Sequence, residues 1–390
     1  MHNNFIDTFN LLHKEYLLKI EDLFFEQKEL WIASFIENIK TICAEIVKIQ
    51  KKLSYPPIAH VEYTLLRTNF IQNSKYIAEV FVYDNDLYLG NKQHCVGTFD
   101  VSFLFKYFGE LWDDLLKERK RYVDKVKSIE IAELMAKQPF FDFISLLTAL
   151  VRVAISSAID EDLFADIHKE EVFRICVGEY MNHSVFEPVY IERKNKDNEE
   201  IIKWLLRKDE NYEFEDFSKL DFSDCNFADL DLSFSQFQYS TLINCSLNNS
   251  MLVNSNFYKA NLSDCRLSNC HIHQANFSYA NLSNAIFTKV DGDLVRIGNT
   301  PLNFRYADLT GVDFTWTNLT GADFTGAILK DALFLGSTLS DANFTGAQFH
   351  ETFFELTNLD GAIVDDDFKN SGAVLDIESS KSLILGKKFR

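Results

Sequence analysis

At 390 residues the chain is long enough for two domains, and 47% hydrophobic with 25% charged residues is ordinary for a soluble globular protein. A formal net charge of −19 makes nucleic acid and anionic membrane poor direct ligands. Seven Cys without paired spacing, and no signal-peptide pattern, point to a reducing cytoplasm.

Residues 4–53 contain neither Gly nor Pro, and Phe5, Phe9, Leu12, Tyr16 and Ile20 recur at helical spacing, as do Ile32, Phe35, Ile39, Ile42, Ile46 and Leu53. This predicts one long helix or two, broken near Gln27 and stopped by Ser54-Tyr55-Pro56-Pro57. From Ile58 to Leu89 the pattern turns to β, with turn signals at Asp84-Asn85-Asp86 and Gly90-Asn91, so a small antiparallel β-meander of three or four strands is expected. Helices resume near Phe103, with Leu111, Leu115, Tyr122 and Val126 on one face, and Pro139 divides them from an apolar helix. That helix, Phe140 to Ala158, carries Asp142 and Arg152 and reads as a buried helix rather than a membrane span. After a short helix, Val172 to Val177 reads as a strand. Residues 1–193 thus form a mainly helical α+β domain, and the polar run Lys194 to Glu200 opens a linker and cap over 194–212.

From Phe217 to Val364 the chain counts in fives. Ala260-Asn261-Leu262-Ser263-Asp264, Ala322-Asp323-Phe324-Thr325-Gly326 and Ala342-Asn343-Phe344-Thr345-Gly346 share one pattern: a small residue, Asp or Asn, Leu or Phe, then two polar or turn residues. A helix advances 500° in five residues, so no helical face is buried by such a repeat, and it is not strand alternation either. A short strict repeat marks a solenoid. Residues twenty apart match as well: Phe217, Phe237, Phe257 and Phe277 form one column, Phe314, Phe334 and Phe354 a second, and Leu319, Leu339 and Leu359 a third.

This stretch resembles the pentapeptide-repeat family. The resemblance implies an all-β right-handed quadrilateral β-helix over 213–367, one pentapeptide per side, with the Leu/Phe centre and the small residue two before it facing inward. The Asp or Asn before the centre then faces out and bonds the corner backbone, while Gly326, Gly336 and Gly346 supply positive φ. About seven coils at roughly 4.8 Å each give a rod of about 34 Å. Phe287 to Phe304 spans 17 residues, not a multiple of five, so the register breaks within 288–303. The expected cause is a bulge near Thr288–Asp291, an excursion across Arg296–Asn303, or both, with Gly292 to Arg296 a lone unit of the second register. In the quinolone-resistance members of the family, loops leaving the coil contact the type II topoisomerase. The resemblance makes Asp291, Asp293, Arg296 and Asn299 a candidate partner-binding loop, against the plain alternative of a surface insertion.

Other features carry structural readings. Cys225, Cys245 and Cys265 lie twenty apart and read as small packing residues. Cys270-His271-Ile272-His273 places both imidazoles outward around an inward Ile272, and without a further ligand nearby in sequence no metal is expected. The charged run Lys117 to Arg121 reads as a solvated helix face. There is no phosphate loop, nucleophile elbow or zincin motif, so no catalytic residue and no cofactor is expected.

The functional expectation is a non-enzymatic interaction or scaffold protein of the cytoplasm, in which a rigid rod and a globular N-terminal domain bind an unidentified cellular protein. The alternative is a DNA-mimicking modulator of type II topoisomerase, which needs a contiguous acidic track. The 21 acidic and 7 basic residues of 213–367 leave −14 there, but spread around the rod. The ends of the rod need covering: residues 201–212, with Trp204 and Leu205, at one end and the tail 368–390 at the other. By the same resemblance the C-terminal ends meet in a homodimer.

Overall fold

The computed structural model describes residues 3–53, 55–67, 76–85, 94–122, 126–158, 163–180, 187–209, 212–292, 301–365, 368 and 372–376. The chain divides into two compact units, with a boundary between Lys194 and Asn195.

In the N-terminal unit, helix α1 runs unbroken from Asn3 to Leu53. The expected interruption near Gln27 does not occur. No Gly or Pro stands there, and an unbroken ladder of good helix formers has nothing to interrupt it. Its buried positions, among them Phe5, Phe9, Ile20, Ile32, Phe35, Ile39, Ile42 and Ile46, form the inner stripe. Phe35 packs on Tyr63 and Phe99, at ring-centroid distances of 5.2 and 5.3 Å, which fixes α1 on the sheet.

The sheet corrects the expectation of a small antiparallel meander. Strands β1 (Ile58–Leu65), β2 (Ile77–Tyr83) and β3 (His94–Asp100) do form one, but β4 (Lys169–Glu179) and β5 (Glu187–Arg193) complete a five-stranded mixed sheet of order β3-β2-β1-β4-β5. The β1–β4 pair is parallel, with Val61 opposite Ile175 and Tyr63 opposite Val177. A parallel pair needs a long crossover, here more than a hundred residues, so no local turn signal announces it. Gly90-Asn91 lies outside the described residues.

The crossover contains α2 (Ser102–Arg119), α3 (Ser128–Met135) and α4 (Gln138–Ser157). Pro139 sits in the first turn of α4, where its missing N–H leaves no helical bond unmade. Ser128–Ile155 is apolar and long enough to cross a membrane, yet 67% of its most apolar window is buried inside the protein, as in a core helix. Phe140 and Phe143 of α4 meet Phe105 and Phe108 of α2. The charged run at the end of α2 is exposed and locally paired, Lys117 to Asp114 and Arg121 to Glu118.

The C-terminal unit opens with α5 (Asn198–Arg207), capped by the Asp197 side chain, which accepts from Glu200 N–H at 3.0 Å. Beyond it the chain is a β-solenoid. Parallel bridges form four ladders, one of them Asp216–Gln236–Asn256–Asn276 and onward, another Asp221–Thr241–Asn261–Asn281. Each central residue donates its N–H to the coil above, as Phe217 does to Gln236 O and Phe257 to Asn276 O, both at 2.7 Å. Two residues after each centre the backbone turns left-handed, at Lys219, Asp224, Asp229, Phe234, Tyr239 and Asn244 as well as at Gly311, Gly321 and Gly326.

Of the two expected causes of the register break, the bulge does not form. Asp291 keeps its bridges, to His271 below and Asn318 above, and Val290 is buried, so there is no bulge over Thr288–Asp291. Gly292 N–H still donates to Asn318 O, at 2.9 Å, in the central position of the first register. Asn276 then bridges Asn303, twenty-seven residues on rather than twenty. Seven residues are therefore inserted between Gly292 and Asn303, and the same four ladders resume. The two registers are one set of columns.

Both ends of the described solenoid are covered. Leu205 is fully buried with Phe217, and Trp204 meets Tyr212 at 4.8 Å. Asn198 exchanges two hydrogen bonds with the Asp221 backbone, and Lys196 donates to Ser218 O, so exposed edge groups of the first coil find partners. At the other end β6 (Thr352–Phe354) pairs in parallel with β7 (Ala373–Leu375), and Phe368 packs on Phe349 at 4.9 Å. Leu383 to Leu385 lies outside the described residues.

Phe257 is fully buried between Phe237 and Phe277, at 4.7 and 4.9 Å. Phe257→Ala is expected to cost about 3–5 kcal/mol in chemical denaturation. A midpoint equal to wild type would contradict the column.

Candidate functional site

Phe217, Phe237, Phe257 and Phe277 continue across the insertion into Phe304, Phe324 and Phe344. The seven rings follow one another at 4.7 to 5.3 Å. Phe314, Phe334 and Phe354 continue the column of Phe287, and Phe287 lies 5.0 Å from Phe314. Leu319, Leu339 and Leu359 are buried in the column that holds Leu252 and Ile272 below them. Gly292 interrupts that column. A Cβ there would lie 2.8 Å from Leu302 Cδ2 and 3.3 Å from Ile272 Cγ1, so Leu302 fills the interior that Gly292 vacates. Of the candidate loop residues, Asp291 belongs to the ladder itself, and Asp293, Arg296 and Asn299 lie outside the described residues.

The acids serve corners more than they form a track. Oδ1 of Asp221, Asp308, Asp313 and Asp323 each accepts the backbone N–H two residues on, at 2.9 to 3.0 Å. The hydroxyl and backbone N–H of Ser223 hold the Asp221 carboxyl below its ordinary range. At the left-handed corners acids alternate with amides: Asn244 Nδ2 donates to Asp224 at 2.7 Å and Asn284 Nδ2 to Asp264 at 3.1 Å. Asp216 is buried against Lys196, and Asp323 accepts from Arg305.

One corner carries a feature that emerges only when the coils are stacked. Tyr239, Tyr258, Tyr279 and Tyr306 follow one another along the rod at ring separations of 5.9, 5.7 and 5.0 Å. Lys259 stands over Tyr239 and Tyr258, and Arg305 over Tyr306. Tyr279 and Tyr306 are half exposed, at 50% and 47%. The available signal was the twenty-residue spacing applied to corner residues instead of centres, which sets Tyr239, Lys259 and Tyr279 in one line.

The cysteine ladder is a packing feature. All three thiols are free; Cys245 and Cys265 are buried and Cys225 partly so. Burial, then the neighbouring Cys245, pushes the Cys265 thiol well up, which leaves it protonated and unreactive. On the N-terminal sheet, burial and then Arg174 push His60 down to about 4, so this imidazole is neutral near pH 7. His271 and His273 do have a third ligand near them, Asp291 from the next coil, which the linear motif could not show.

A family model for the pentapeptide repeat region matches residues 240–296, and one for pentapeptide repeats in eight copies matches 302–336 and 337–365. Residues 240–365 belong to the pentapeptide-repeat family. Among solved structures, HetL, a pentapeptide repeat protein involved in heterocyst differentiation regulation in the cyanobacterium Nostoc sp. strain PCC 7120, is 19% identical. The match covers 46% of this chain and 93% of HetL, with a TM-score of 0.22. QnrB1, a plasmid-mediated fluoroquinolone resistance protein, is 17% identical over 43% of this chain and 92% of its own, with a TM-score of 0.30. A pentapeptide repeat protein of the Arabidopsis thaliana thylakoid lumen is 23% identical over 30% and 65%, with a TM-score of 0.13. No match was found among curated protein sequences.

Within the pentapeptide-repeat coils, glycine shapes the aromatic corner. A Cβ on Gly326, at φ +69°, would lie 2.4 Å from Tyr306 Cε1, whereas one on Gly346, at φ +70°, meets only backbone at 3.9 Å. Gly346→Ala should cost about 1–2 kcal/mol from the left-handed backbone alone. Gly326→Ala should cost measurably more, because Tyr306 must leave its seat. Equal losses in thermal denaturation would show that Tyr306 does not rest on Gly326.

Proposed function

We propose that the chain is a non-enzymatic interaction protein of the cytoplasm, in which a rigid pentapeptide-repeat rod binds another cellular protein. The rod is read as right-handed and four-sided, as the family resemblance implies. The observation that carries the proposal is the corner of Tyr239, Tyr258, Tyr279 and Tyr306 with Lys259 and Arg305. Tyr and Arg are the residues that protein interfaces favour, and rings already held in place by their neighbours lose little entropy on binding. A homodimer through the C-terminal end belongs to the same reading, tested by light-scattering mass with and without residues 371–390.

Immobilised full-length protein should retain a cytosolic partner, and Tyr279→Ser with Tyr306→Ser should reduce that capture at least tenfold at unchanged thermal midpoint. Capture indifferent to both substitutions would sink this use of the corner. The topoisomerase reading gains little from acids that are bonded to corner backbone or interleaved with Asn. It would be restored by dose-dependent inhibition of gyrase supercoiling at low micromolar protein, weakened by neutralising Asp221, Asp224 and Asp264.

A further inference from the structure

His271 and His273 flank Ile272, which is fully buried in an inner column, so the two imidazoles project outward from one side of one coil. Their ring centroids are 6.0 Å apart and their planes within 20° of parallel. The next coil places Asp291 directly against them. Asp291 bridges His271; Ile272 N–H donates to Asp291 O at 2.9 Å, and Asp291 N–H donates to Cys270 O at 3.1 Å. The Asp291 carboxylate lies 3.7 Å from His273 Nε2, and one donor atom from each of the three side chains falls within 4.8 Å of the other two.

We propose that His271, His273 and Asp291 form a binding site for a divalent transition-metal ion, with Zn²⁺ as the fitting class. Bonds of about 2.0–2.1 Å in a tetrahedral set need donor atoms roughly 3.3 Å apart, which rotamer adjustment of three outward side chains supplies without moving the backbone. Two imidazoles and one carboxylate suit a borderline cation; Mg²⁺ and Ca²⁺ favour all-oxygen sets. Cys270 is not a ligand. It is buried, its Sγ donates to Leu247 O at 2.9 Å, and burial pushes its thiol up to about 12. Three protein ligands leave one position open to water or to a side chain of another molecule. Asp291 keeps its bridges on both sides and stands just before the inserted segment, so the ion would staple two coils next to the insertion.

The test uses tag-free full-length protein stripped with EDTA, because an oligohistidine tag would itself bind the ion. Titration calorimetry with ZnCl₂ should give one ion per chain, and Co²⁺ should develop the visible bands of a low-coordinate nitrogen–oxygen site. His271→Gln, His273→Gln and Asp291→Asn should each weaken binding at least tenfold and abolish those bands, while retaining the wild-type melting midpoint in EDTA. Zn²⁺ should raise the midpoint of the wild type and not of the variants. No saturable binding, or binding and Co²⁺ bands unchanged in the His271→Gln/His273→Gln double variant, would overturn the proposal.

Discussion

The C-terminal unit depends on pairing between successive coils. Each central residue gives its N–H to the coil above, and each bridge residue gives its N–H to the coil below, as Gln236 does to Glu215 O at 2.8 Å. The backbone of one coil is satisfied only if its neighbours are present and in step, which makes the fold cooperative along the rod and vulnerable at its ends. The inner columns obey the same condition. Phe257 can stack on Phe237 and Phe277 only when both coils hold register.

That constraint explains how the solenoid tolerates an insertion. Seven residues enter after Gly292, but every ladder on either side continues, and Phe277 meets Phe304 at 5.3 Å as though they were consecutive coils. Among the described centres Gly292 alone lacks a side chain, and Leu302 fills that gap from the first described turn beyond the insertion. What remains free to vary is the corner residue after each centre. It is held left-handed by the coil, whatever its type, and here it ranges from Gly, Asp, Asn and Lys to Gln, Glu, Leu, Phe, Tyr and Trp. Inner positions answer to packing; corners are available for function.

The difference between the two units in how much was readable has the same origin. In the repeat, contacts are twenty residues apart and recur, so Phe217, Phe237, Phe257 and Phe277 announce themselves in sequence. The N-terminal contacts do not recur. The pairing of Val61 with Ile175 has no counterpart elsewhere from which to infer it, and neither has the pairing of β5 with β4. α1 was readable from its periodicity, but not its continuity past Gln27. The candidate sites were hidden for a related reason. Asp291 stands twenty residues from His271, and Tyr306 twenty-seven from Tyr279, so both groupings appear only after the coils are stacked.

The central claim, that one set of ladders continues on both sides of a seven-residue insertion, is tested most directly by removing that number. Deleting residues 295–301 joins Leu294 to Leu302 and restores twenty-residue spacing throughout, whereas deleting 295–300 leaves the chain one residue out of step. Thermal unfolding followed by circular dichroism should remain cooperative for the seven-residue deletion, with a midpoint near wild type, and should collapse to a lower, broader transition for the six-residue deletion. Equal damage from both deletions would contradict the account.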